Sequence, residues 1–131
     1  MVYIVTELCE MNLMTKIKKD GKMADTNALG LFLQILESYE ALRNIGTIHR
    51  DIKPENIFIK DNRLKLGDFG YSIPLSTQKI ESSVNLGTPL YMAPEALSHS
   101  IYSEKSDIWS LGITLYEMIT GTTPFKGKSE Q

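Results

Sequence analysis

Apolar and polar positions alternate along the chain in a way that divides it into a few elements. Val2 to Leu8 is a short β-branched and apolar run, which predicts a buried strand. Leu13 to Lys19 reads as a short helix stopped by the turn pair Asp20-Gly21. The strongest periodicity follows. Ala28, Phe32, Ile35, Leu36, Tyr39 and Leu42 fall at i, i+4, i+7, i+8, i+11 and i+14, so they line one face of a helix. Asp25 is placed as its N-cap and Asn44 to Gly46 as its stop. Ile57-Phe58-Ile59 and Leu64-Lys65-Leu66 predict two short strands, joined through the turn Lys60-Asp61-Asn62-Arg63. Tyr71 to Pro89 is polar and unpatterned, and so long a loop is usually functional or disordered. A last helix is expected from about Glu104 to Thr120. Ile108, Leu111, Leu115 and Met118 or Ile119 form its apolar face, and Gly121 is its stop. No internal repeat or low-complexity stretch interrupts what reads as one unit, mostly helical with a few short strands.

Composition narrows the class rather than the chemistry. The 131 residues are 42% hydrophobic and 23% charged, ordinary values for a soluble globular domain. Fourteen basic side chains stand against 16 acidic ones, which argues against a nucleic-acid groove or a membrane-surface patch. The single cysteine, Cys9, excludes an internal disulfide framework and fits a reducing compartment. The opening residues lack the basic region of a secretory signal. The apolar stretch Ile108 to Ile119 is too short to span a bilayer and contains Ser110 and Glu117. A cytoplasmic location is the default expectation.

Three motifs carry the chemistry. His49-Arg50-Asp51-Ile52-Lys53-Pro54-Glu55-Asn56 follows the long amphipathic helix. Asp68-Phe69-Gly70 ends the second short strand, and Ala93-Pro94-Glu95 closes the polar loop. Singly each is unremarkable: a lone Asp near a Lys is usually a solvated pair, and Asp-Phe-Gly is an ordinary turn. In this order and spacing they resemble the catalytic loop, metal-binding loop and activation-segment end of eukaryotic-type protein Ser/Thr kinases. The implied fold is α+β and protein-kinase-like, truncated, and mainly the helical large lobe. The implied reaction is ATP-dependent phosphoryl transfer to Ser or Thr hydroxyls of protein substrates, with magnesium as cofactor.

Phosphoryl transfer asks for positioning and charge neutralisation more than covalent chemistry. The resemblance makes Asp51 the base that orients the substrate hydroxyl. It places Lys53 beside the transferring phosphate, and lysine there resembles the Ser/Thr branch rather than the Tyr branch. Asn56 and Asp68 would supply oxygen ligands to magnesium. Thr6, Glu7, Leu8 and Cys9 resemble the gatekeeper and hinge, with main-chain groups near Glu7 and Cys9 bonding adenine and Phe58 beneath it. Thr88 resembles the threonine that contacts the catalytic Asp and Lys. Asp107 resembles the helix carboxylate that binds the catalytic-loop backbone, a buried acid that needs such partners. His49 is expected to pack internally against Phe69. Glu55 and Glu117 occupy places where many kinases attract basic substrate residues, and a solvated surface role suits them equally. Arg50 resembles the arginine that pairs with a phosphorylated activation-loop residue. The usual acceptor position is Val84, so Ser83, with Ser82 beside it, is the expected switch.

The sequence also departs from the family. The Gly-rich loop, the strand lysine with its helix glutamate, and the later large-lobe helices that would pair with Glu95 are not among the 131 residues. The expectation is a partial catalytic domain over residues 1–131. Its full-length parent should be competent, while the isolated chain should bind ATP weakly and be marginally stable. The alternative is a truncated, inactive fragment acting as a protein-binding module. Glu10-Met11-Asn12-Leu13 lacks the usual Gly-Gly-acidic pattern, leaving Leu13, or Asn12 on a shifted alignment, where an acid often binds ribose. Oligomeric state is not legible.

Overall fold

A computed structural model describes residues 3–77 and 87–127. The Ser82, Ser83 and Val84 region lies outside the described residues.

The predicted first strand does not form. Tyr3 to Cys9 pairs with no strand among the described residues, and Ile4 and Val5 are 87% and 93% exposed. A strand is completed by its neighbour's backbone, so β-branched composition alone cannot make one. Pairing begins later, at β1 (Met11–Asn12), which lies antiparallel to β3 (Ile57–Lys60) with Met11 opposite Ile59.

Helix α1 (Leu13–Asp20) starts where Asn12 accepts the Thr15 N–H and stops at Gly21, whose φ is +77°. Lys16 and Asp20 pair across one turn at 2.7 Å. Helix α2 (Asp25–Asn44) begins one residue earlier than expected. Ala24, not Asp25, holds the cap position and makes no side-chain cap bond. Asp25 instead places its charge in the first turn, where the helix dipole favours it. Ala28, Ile35, Tyr39 and Leu42 are buried as the periodicity requires, with Phe32 and Leu36 half-buried.

The hairpin of β3 and β4 (Arg63–Leu66) is the core's second wall. Its register pairs Ile57 with Leu66 and Ile59 with Leu64 on the buried face. Asp61 and Asn62 form the two-residue turn with φ of +50° and +60°, the left-handed pair that matches strand twist. Asn62→Val is therefore expected to lower stability by about 1–2 kcal/mol, and Asn62→Gly to hold or raise it, read from urea midpoints. α1, α2, the hairpin, Ile52, Leu111 and Met118 share one core.

The polar loop is less featureless than expected. β2 (Thr47–Ile48) pairs antiparallel with β5 (Ile73–Pro74), and a single helical turn covers Pro89–Tyr91. Helix α3 (Pro94–His99) was not expected; Pro94 at its first position is pre-set for helix, and Ser100 caps it with φ of +53°. Helix α4 (Glu104–Thr120) carries a reciprocal Ser103–Ser106 cap and ends at Gly121, φ +80°. Its inward face differs from the predicted one. Ile108 is 51% exposed and Leu115 half-buried, while Ser106, Asp107, Ser110, Thr114 and Glu117 are buried beside Leu111 and Met118. Ser106, Asp107, Ser110 and Glu117 have specific partners, whereas the Thr114 hydroxyl has none among the described residues. Trp109 stacks on Phe125, ring centres 6.0 Å apart.

Candidate active site

Residues 49–56 run from the end of β2 to the start of β3 and are held by α4. The Asp107 carboxylate accepts the His49 N–H at 2.8 Å on one oxygen and the Arg50 N–H at 2.9 Å on the other. Burial pushes its carboxyl up to about 6 despite these two bonds. The anchored turn is strained: Arg50 has φ of +70°, a region costly for a non-glycine residue.

The strain presents Asp51 to a polar cluster. The Asp51 carboxylate is buried; one oxygen accepts the Asn56 amide N–H at 2.8 Å and lies 2.8 Å from Lys53 Nζ. The other oxygen accepts the Thr88 hydroxyl at 3.2 Å, and Lys53 donates to Thr88 Oγ1 at 2.7 Å. Asn56 also donates to the Asp51 carbonyl at 2.8 Å. Four side chains from two separate stretches of sequence thus close one network.

Asn56 uses its NH2 group on both bonds, which leaves its side-chain carbonyl oxygen for a cation. Gly67 N–H donates to the Asn56 carbonyl at 2.9 Å, so the hairpin returns the chain to Asn56 immediately before Asp68. Asp68 is exposed, with φ of +59°; one carboxylate oxygen accepts the Gly70 N–H at 3.3 Å. One carboxylate and one amide oxygen suit magnesium, which keeps water and substrate oxygens for its remaining positions. No cluster of three His, Cys, Asp or Glu residues that could hold a metal alone occurs among the described residues.

His49 is fully buried and its ring lies 5.4 Å from that of Phe69, as expected. Nε2 donates to the Gly67 carbonyl at 3.1 Å and Nδ1 accepts the Asp51 N–H at 3.3 Å, an arrangement that fits one neutral tautomer. Burial pushes its pKa down in the same sense. The Phe58 ring packs on Gly67, where a Cβ would come within 3.0 Å of it.

The remaining sequence candidates fall into place unevenly. Thr6, Glu7 and Leu8 are exposed and Cys9 is half-buried. The Glu7 carboxylate sits between Lys60 at 2.9 Å and Lys65 at 2.8 Å, and these lysines hold it down to about 2. Leu13 is 0% exposed, and Asn12 spends its side-chain oxygen on the Thr15 N–H and hydroxyl. That leaves Leu13 without a polar group for ribose and Asn12 with only its NH2 group. Glu117 is not on the surface; it is buried and accepts the Tyr91 hydroxyl, and burial raises both pKa values. Glu55 is half-buried, with one carboxylate oxygen lacking a protein partner among the described residues. The Arg50 side chain donates to the Tyr71 carbonyl and lies over the Tyr102 ring, 5.2 Å from its centre. Tyr91, Ser110 and Tyr102 support the site without having been legible in the sequence. Their partners Glu117, Tyr91 and Arg50 are 19 to 52 residues away in the chain, and no local pattern marks them.

Several known proteins are similar to this chain. The sequence profile of the protein kinase domain matches residues 1–131. The human hormonally up-regulated neu tumor-associated kinase is 40% identical over 94% of this chain and 18% of its own length. The serine/threonine-protein kinase Nek11 of Macaca fascicularis is 43% identical over 96% of this chain and 21% of its own. The serine/threonine-protein kinase ATG1b of Arabidopsis thaliana is 36% identical over 98% and 19%. The chain spans about a fifth of the length of these relatives.

Proposed function

The chain belongs to the protein kinase family, and on that footing we propose that it carries the catalytic-loop part of an ATP- and magnesium-dependent protein serine/threonine kinase. The observation that supports this most directly is the closed network of Asp51, Lys53, Asn56 and Thr88. Asp51 orients the hydroxyl of the substrate Ser or Thr and accepts its proton as the oxygen attacks the γ-phosphorus of ATP and the bond from that phosphorus to the departing ADP breaks. Lys53 offsets the negative charge that develops on the transferring group. Asn56 and Asp68 hold magnesium, which when bound neutralises phosphate charge. Main-chain groups near Glu7 and Cys9 bond the adenine, and the Phe58 ring lies beneath it. Protein substrates are the expected partners. No helix among the described residues is long and apolar enough to cross a membrane.

Thr88 ties Lys53 to Asp51, so it should affect the rate more than nucleotide binding. Thr88→Ala in the full-length protein is expected to lower kcat about tenfold, the worth of one charge-assisted hydrogen bond, with KM for ATP little changed. The function itself is tested by offering that protein magnesium, ATP and matched peptides containing serine, threonine or tyrosine. Transfer to serine or threonine supports the reading. Transfer to tyrosine alone, or to none of the three, overturns it.

A further inference from the structure

The Glu7 side chain has no part in the adenine reading, which uses only its main chain. Yet its carboxylate meets two cations among the described residues, Lys60 at 2.9 Å and Lys65 at 2.8 Å. Those lysines sit on adjacent strands of one sheet, ordered β1, β3, β4. Side chains alternate across a strand, and residues directly opposite share a face. Ile57, Ile59 and Leu64 are buried, so one face of the hairpin is the core. The other face carries Phe58, Lys60, Arg63 and Lys65. Phe58 is the single apolar side chain there, and Lys65 is its direct partner in the register.

Tyr3 to Cys9 forms no strand, and Tyr3, Ile4, Val5 and Leu8 are exposed. The first ladder bond comes at Glu10, whose N–H donates to the Ile59 carbonyl at 2.9 Å, and the Glu10 carboxylate in turn accepts the Asp61 N–H at 3.0 Å. From that anchor the chain runs back to Glu7, whose carboxylate reaches β3 and β4 on the face that carries Phe58.

We infer that Glu7 is a positioning residue for the nucleotide: its carboxylate, held between Lys60 and Lys65, fixes the gap between the main chain of residues 7–9 and the Phe58 ring. The inference rests on the adenine reading above. The two lysines flank Phe58, one opposite it and one two residues along, so the contact fixes the segment at the ring rather than elsewhere on the hairpin. Exposed ion pairs are individually weak, but three charges sharing one contact act as a network. The contact is screened by salt, so nucleotide affinity inherits that sensitivity.

The test uses the full-length protein and steady-state phosphoryl transfer. The double variant Lys60→Gln, Lys65→Gln is expected to raise KM for ATP about two- to tenfold with kcat within about twofold. Glu7→Lys should raise KM similarly, and adding Lys60→Glu and Lys65→Glu to it should bring KM most of the way back, because the charges are exchanged and the main chain is kept. A KM unmoved in the double variant, or not lowered by the exchange, overturns the inference while an active wild type leaves the kinase reading intact. A wild type without transfer to any peptide overturns both.

Discussion

Asp51→Asn in the full-length protein is expected to reduce kcat about 10²- to 10⁴-fold, the range over which a positioned general base acts. The substitution is nearly isosteric and keeps an oxygen for the Thr88 hydroxyl or the Asn56 amide. What it removes is the negative charge beside Lys53 Nζ and the basic oxygen facing the substrate hydroxyl. The nucleotide is held elsewhere on this reading, at Phe58, the main chain near Glu7 and Cys9, and the Asn56–Asp68 pair. KM for ATP should therefore change far less than kcat, and the melting temperature should stay within a few degrees. An equal fall in kcat and in melting temperature would mean that Asp51 supports the fold instead.

The second large effect is on stability. Asp107→Ala leaves the His49 and Arg50 N–H groups buried without acceptors. Each orphaned donor costs about 1–3 kcal/mol, so the sum is about 2–6 kcal/mol. A domain stabilised by about 5–15 kcal/mol would lose a large fraction of its margin. The loss should depend on pH, with a sign fixed by the direction of the shift. Burial raises the Asp107 carboxyl from 3.8 to about 6. Between those values the folded protein holds a proton that the unfolded chain has released, so folding stability from this group falls as pH rises. Removing the carboxyl removes that slope. Asp107→Ala should therefore cost more at pH 5 than at pH 7.5, measured by urea titration at the two pH values. The Asn variant keeps one acceptor and should cost less than Ala at both.

The chemistry was more legible in the sequence than the architecture that holds it. Asp51, Lys53, Asn56 and Asp68 could be picked out because their motifs resemble those of the family, and two short strands with a tight turn bring Asn56 and Asp68 together. The long periodic helix α2 was equally plain. The strand expected at Val2 to Leu8 is absent among its described residues, 3–8, because strands are made by partners, which composition does not reveal. The inward face of α4 was misread for a related reason. Periodicity weighs apolar positions, whereas this helix buries Asp107, Ser110 and Glu117 against groups on distant segments. A six-residue helix such as α3 is too short to show periodicity, leaving Pro94 as its one local sign. That Leu13 lies in the core and Asn12 caps a helix was likewise visible only in the structure.

The central claim is that Asp51 and its partners perform phosphoryl transfer to protein hydroxyls. The most direct measurement compares the full-length wild type with Asp51→Asn, following labelled phosphate from ATP into a serine peptide in the presence of magnesium. Incorporation by the wild type that falls at least about a hundredfold in the variant, at unchanged melting temperature, is the predicted result. Equal incorporation by both proteins, or none by the wild type, would contradict it.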